Sequence, residues 1–316
     1  MENKIKSICD KTVYNYRISK EELRYDGDYI NHFAAIIYGG REEEIPIKKV
    51  KEIRSCVKKE TSRISAFRGD ILYIVSFLIA LEDNVEKFVS EMLDVYEKLI
   101  ELDFRDSQYL VLASYSMVKY VEQEHRFSKI VKMREIYGVI RRKYKNVTNH
   151  EDYLECALLA INETEEDFIV TFMEEMFEEY KNIENLSKNS IQALSMTMML
   201  NSKISAHDDI NKLLLEINKK GMKIGHQFLP LLGANYQGVE SGKFIDNINE
   251  IIDYLCNEEA EYEFYMDKGF RFFIALALLE SSKNNKNERY LYELFSKGVY
   301  SLIVSKNQGI FDEVLA

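Results

Sequence analysis

Proline is nearly absent from this chain: Pro46 and Pro230 are the only two among 316 residues. Average usage of about 5% would give roughly sixteen. Proline removes a backbone donor and clashes one turn back in a helix. A chain so poor in it, and rich in Leu, Ile, Glu and Lys, is predicted to be all-α. Tryptophan is missing altogether, which argues against a sugar cleft floored by large stacking rings. No CxxC pair exists among Cys9, Cys56, Cys156 and Cys256, so neither a zinc ribbon nor a thioredoxin-type redox centre is available. Four isolated cysteines read as reduced thiols. No apolar leader follows Met1, and together these features predict a cytoplasmic protein. The longest apolar stretch, Ile71 to Leu81 with Ser76 inside it, falls far short of the roughly 20 residues of a membrane span.

Catalytic signatures are also wanting. There is no HExxH, GxSxG or GxGxxG, and the expectation is a chain with no catalytic residues, bound metal or cofactor. The stretch Gly238-Val239-Glu240-Ser241-Gly242-Lys243-Phe244 resembles part of a phosphate loop. Gln237 stands where such a loop needs glycine, however, and Phe244 where it needs Ser or Thr. It reads as a loop between helices. Glu122-Gln123-Glu124-His125 contains one Glu-x-x-His step. A helical di-metal site needs two such steps and two further carboxylates, so this reads as an exposed helix end.

What is present is a recurring pair of segments. Ile71–Leu81, Tyr109–Val118, Tyr153–Ile161, Ile191–Leu200, Phe228–Tyr236 and Phe270–Leu279 are short, strongly apolar and sprinkled with alanine. Small residues let helices approach closely. Each is followed by a polar break and then a longer amphipathic segment: Val85–Leu102, Phe127–Tyr144, Phe168–Ile183, Ile210–Lys219, Phe244–Cys256 and Tyr290–Val304. In the first of these Phe88, Met92, Val95, Leu99 and Leu102 recur at helical steps. A pair repeating at this period predicts stacked helical hairpins, an α-solenoid-like array of about six antiparallel pairs. Residues 1–68 lack the pattern and are predicted to form a helical cap over the first repeat, with helices near Ile5–Tyr14, Lys20–Tyr25, Tyr29–Tyr38 and Ile47–Glu60. The domain division expected is therefore 1–68 and 69–316. Helix starts are placed at Ser19…Glu22, Asp83…Glu86, Thr148…Glu151 and Asp70, each an acceptor ahead of helix-forming residues.

The stretch Arg63-Ile64-Ser65-Ala66-Phe67-Arg68-Gly69, followed by an apolar helix, resembles a bacterial family of helical proteins known only as a domain of unknown function. Chain length and the run of helical pairs are similar too. The resemblance implies a helical protein over most of the chain and brings no catalytic or binding residues with it.

Charge is unevenly spread. The net charge is −11, which disfavours nucleic acid as a general partner. Yet Lys48 to Arg68 carries eight basic and two acidic residues, and Arg126 to Lys145 eight and one. These two islands either pair with the acidic helices or present an anion site, while the Glu174/Glu175/Glu178/Glu179 ladder reads as a solvated face or as a docking surface for a basic partner. Arg63, Arg68, Arg141 and Arg142 are the candidate binding residues. Arg63 and Arg68 flank the loop leading into an apolar helix, and Arg141 and Arg142 close another helix. The function class expected is a non-enzymatic helical-repeat protein that holds a protein or peptide partner. An enzyme or small-ligand binder with a pocket between helices is the second reading, and anion or nucleic-acid binding through the islands the third.

Overall fold

The computed structural model describes residues 1–181, 183, 186–201, 207–220, 226–236, 240–264, 266–283 and 290–308. Among these there is no strand; well over two-thirds are helical, against a usual third. The helices are α1 (Asn3–Glu22), α2 (Asp28–Gly40), α3 (Ile47–Glu60), α4 (Asp70–Ile79), α5 (Val85–Glu101), α6 (Gln108–Tyr120), α7 (Arg126–Lys143), α8 (Tyr153–Ile161), α9 (Glu166–Tyr180), α10 (Lys188–Met198), α11 (His207–Lys219), α12 (Leu229–Asn235), α13 (Ser241–Glu258), α14 (Ala260–Phe264), α15 (Lys268–Ser282) and α16 (Leu291–Asn307). All twelve segments of the six expected pairs are helices; α14 is an added short one.

Two compact units divide the chain: Met1–Ile45 with Asn201–Ala316, and Pro46–Leu200. In the second unit the short apolar helices α4, α6, α8 and α10 pack in one row, and the amphipathic α5, α7 and α9 pack in a row beside it. The first row is buried nearly all round; Ile71, Ile74, Val75, Phe77, Leu110, Val111, Leu154 and Ala157 have no exposed surface. That is what an apolar helix without a polar face must do in water. In the other unit α1 and α2 pack on each other, α1 also against α13 and α15, and α2 against α15 and α16.

The division falls elsewhere than at the expected boundary between residues 68 and 69. Residues 1–68 do not act together: α1 and α2 join the C-terminal helices, while α3 packs on α4 and α5. Their sequences give the reason. α2 is buried along almost its whole length, from Ile30 to Gly39, and needs partners on several sides. α3 buries only the stripe Val50, Ile53, Arg54 and Val57.

Helix starts differ from expectation in a consistent way. Ser19 starts nothing: α1 runs through it, and its hydroxyl donates back to the Tyr16 carbonyl at 3.0 Å. The cap of α5 is Asn84, not Asp83, with its side-chain oxygen accepting from the Lys87 amide. Before α8 the box is Asn149 with Asp152, one residue past Thr148 and Glu151. Asparagine out-competes a neighbouring hydroxyl or carboxylate as an N-cap acceptor here. At α4 the cap position is Gly69 with φ 70°, a backbone region open to glycine. Asp70 instead sits in the first turn, its carboxyl pushed up by burial.

Candidate functional site

Three cations of the first basic island, Lys49, Arg54 and Arg68, are spent inside the fold. Lys49 donates to the carbonyls of Ala80 and Glu82, each at 2.8 Å, closing the end of α4. Arg54 is buried, with Nε on Ser76 Oγ at 3.0 Å and its guanidinium over Tyr73 and Phe77. Arg68 donates to the carbonyls of Ser62 (2.8 Å), Lys58 (2.7 Å) and Thr61. These are the orphan acceptors at and after the end of α3. Arg68 thus folds back on its own loop. Replacing it with alanine is expected to cost about 1–2 kcal/mol of stability, since charge-assisted bonds to helix-end carbonyls are lost from a half-buried site. Urea unfolding measures this, and an unchanged midpoint would refute it. Arg63 is exposed beside Ile64, which is 94% exposed; neither packs into the unit's core.

The second island behaves differently on its two sides. α7 buries Ile130, Met133, Ile136, Tyr137 and Ile140. On one flank its cations are paired with neighbouring helices: Arg126 with Glu91 at 2.8 Å, Lys129 with Glu163 at 2.5 Å, Lys132 with Glu166 at 2.7 Å, and Lys143 with Glu174. Arg126 also donates to the carbonyls of Val121 and Val118, closing α6. Part of the acidic ladder is thereby matched, because Glu178 pairs with Lys181 as well. The Lys129–Glu163 and Lys132–Glu166 bonds hold both carboxyls below their usual range.

On the other flank lie Arg134, Gly138 and Arg141, at steps of four and three, with Arg142 beside them. That spacing places them on one face. None of these arginines has a carboxylate within ion-pair distance among the described residues. Their neighbours are rings: the Arg134 guanidinium lies 5.9 Å from the Phe104 centroid and that of Arg141 5.8 Å from Tyr137. Phe104, Tyr137 and Tyr153 form a buried triad with centroids 5.0 to 5.7 Å apart. Burial pushes the Tyr137 hydroxyl up to about 12, so it stays neutral beneath the cations. Burial lowers His150 too, with Arg105 adding to the effect and Glu151 opposing it. His150 stacks edgewise on Tyr109 at 5.6 Å.

Of the sequence candidates, Arg141 and Arg142 belong to this face and Arg68 does not. Arg134 and Gly138 were missed. The usable signal was the spacing of 134, 138 and 141 opposite that of 129, 132 and 143, which separates two flanks that a summed charge merges.

Other features carry less. Glu122, Glu124 and His125 bring three ligand atoms within 4.8 Å of one another, all on exposed side chains, as a helix end does without any ion. Gln237, Gly238 and Val239 of the loop resembling a phosphate site lie outside the described residues; Ser241, Gly242 and Lys243 open α13. A groove of about 680 Å³ runs between α3 and α5, lined by Cys56, Glu60, Glu86, Val89, Leu93 and Glu97. Burial and then Glu60 and Glu86 raise the Cys56 thiol, which suppresses the reactive thiolate. A groove of about 410 Å³ between α11 and α13 is lined by Asp209, Lys212, Glu216, Lys219 and Glu240. All four cysteines are free, and among the described residues no helix is long and apolar enough to cross a membrane.

Residues 15–308 match the family described as Protein of unknown function (DUF4003), and the chain belongs to that family. No curated protein and no solved structure matches the chain.

Proposed function

We propose that this chain is a binding protein, and that it holds an acidic segment of a protein or peptide partner along the arginine face of α7. One observation carries the reading. Along a single helix the lysine flank is neutralised by α9 and α5, while the arginine flank is left without counter-charge. Arginine binds carboxylates through a planar fork and stacks on rings, which lysine does less well. Arg134 and Arg141 lie over two rings of a buried aromatic triad. A net charge of −11 over the whole chain repels polyanions with long-range fields, which favours a short acidic segment over nucleic acid.

The test is fluorescence anisotropy with a fluorescein-labelled polyglutamate peptide at low salt. Wild-type protein is expected to bind it, and Arg134→Ala with Arg141→Ala to bind about tenfold more weakly. Lys129→Ala with Lys132→Ala removes the same charge from the opposite flank and is expected to leave affinity within a factor of about two. Absence of binding by the wild type, or equal loss in both double variants, would overturn the reading.

A further inference from the structure

Glycine in a helix costs up to about 1 kcal/mol against alanine, and three helical glycines of this protein sit where a Cβ would clash. A Cβ on Gly39 would lie 2.8 Å from the Thr12 backbone, one on Gly40 2.9 Å from Ser281 Cβ, and one on Gly298 2.9 Å from Phe273. Gly138 is different. A Cβ there would meet no core atom; its nearest neighbours within 4 Å are Arg142 Nη1 at 3.7 Å and Arg134 Nη1 at 3.9 Å. The two guanidiniums come from one turn after and one turn before and converge over bare helix backbone. Neither has a hydrogen-bond or ion-pair partner among the described residues, so two like charges are held close to one backbone position without a counter-charge.

We propose that Arg134 and Arg142, converging over Gly138, clamp the dianion of a phosphate monoester, carried by a phosphoserine or phosphothreonine in the acidic segment. The proposal rests on the arginine-face reading above and sharpens it. A carboxylate brings one negative charge and two oxygens, which one guanidinium fork occupies. A phosphate monoester brings about −1.5 to −2 and three acceptor oxygens, enough for two forks at once. The missing side chain at 138 leaves the notch open to a group of that size. Arg141, on the same face, lies next to the notch and meets the flanking acidic residues.

The experiment compares three probes by anisotropy: an acidic peptide carrying one phosphoserine, the same peptide with two glutamates in its place, and inorganic phosphate as competitor. Wild type is expected to prefer the phosphopeptide about tenfold over its charge-matched twin. Gly138→Leu fills the notch, keeps every charge and improves helix propensity. It is expected to abolish the preference while retaining glutamate-peptide binding and the thermal midpoint. Arg142→Lys is expected to abolish the preference as well, because an ammonium has no fork. Inorganic phosphate displacing the probe at the phosphopeptide's own concentration identifies the free anion as the clamp's ligand; displacement only at far higher concentration supports the phosphorylated segment. Equal wild-type affinity for both peptides overturns the clamp and leaves the arginine face standing, as does a preference that survives Gly138→Leu. Loss of all peptide binding overturns both.

Discussion

Acidification from about pH 7 to pH 5 is expected to destabilise the unit built from residues 1–45 and 201–308 by about 2 kcal/mol through one imidazole. His32 of α2 is buried, stacked on the Tyr16 ring of α1 at 3.9 Å and 7°, with Tyr262 edge-on at 4.9 Å and Phe270 at 6.4 Å. Its Nδ1 finds no partner among the described residues, nor do the hydroxyls of Tyr16 and Tyr262. Burial first, and Lys20 second, push its pKa down to about 3 from an ordinary 6.5. Burial first, and then the carboxylates Glu261, Asp28 and Glu259, raise the Tyr16 hydroxyl. Between the two His32 values the unfolded chain binds a proton that the folded one refuses. Stability is therefore complete above pH of about 6.5 and falls by about 1.4 kcal/mol per unit below it. Glu280, buried in the same unit and raised by burial, works in the opposite sense, since protonation relieves it. His32→Phe separates the two. It keeps a flat ring in the stack, leaves no unpartnered nitrogen, and is expected to remove most of the loss between pH 7 and 5. With no tryptophan in the chain, urea unfolding followed by far-UV circular dichroism is the measurement. Equal losses in wild type and variant would refute the role of His32.

The helix pairs were legible because each short member is apolar on every side and each long member on one stripe, and those two patterns survive any arrangement in space. α3 is the clearest case: Pro46 opens it and the expected span Ile47–Glu60 is the observed one. Which helices pack together was less legible, because it depends on long-range complementarity. Thr12 meeting Gly39 with no room for a Cβ ties α1 to α2, yet nothing in either segment alone announces it. The arginine face illustrates the same limit. Its charge was visible as a sum over Arg126 to Lys145. What distinguishes Arg134 from Lys132 is that Glu166 reaches one and, among the described residues, no carboxylate reaches the other, and that is decided by where α9 lies. Arg68 misled for a related reason: a cation beside a helix start suggests an anion, whereas its loop turns it back onto the carbonyls of the preceding helix.

In the other unit, Gln192→Leu is expected to cost about 2–4 kcal/mol, because it strips partners from two buried groups at about 1–3 kcal/mol each. Gln192 of α10 has no exposed surface. Its amide donates to Asp152 Oδ2 at 3.0 Å and its carbonyl oxygen accepts from Thr148 Oγ1 at 3.1 Å. The same Asp152 oxygen accepts the Asn149 amide at 2.8 Å, while Asn149 Oδ1 takes the Glu151 amide at 2.7 Å. The start of α8 is thus capped by residues that are themselves held by α10, the next short helix in its row. Leucine preserves most of the volume, so cavity formation contributes little and the polar loss dominates. Two consequences separate this from a packing effect. Thr148→Val alone is expected to cost about 1–3 kcal/mol, since it leaves the buried Gln192 carbonyl oxygen without its donor. In the Gln192→Leu background Thr148→Val is expected to cost almost nothing, or to recover stability, because the hydroxyl has already lost its acceptor. Additive losses in urea unfolding of the double variant would show that the network does not couple α8 to α10, and a cost below about 0.5 kcal/mol for Gln192→Leu would show that water replaces it freely.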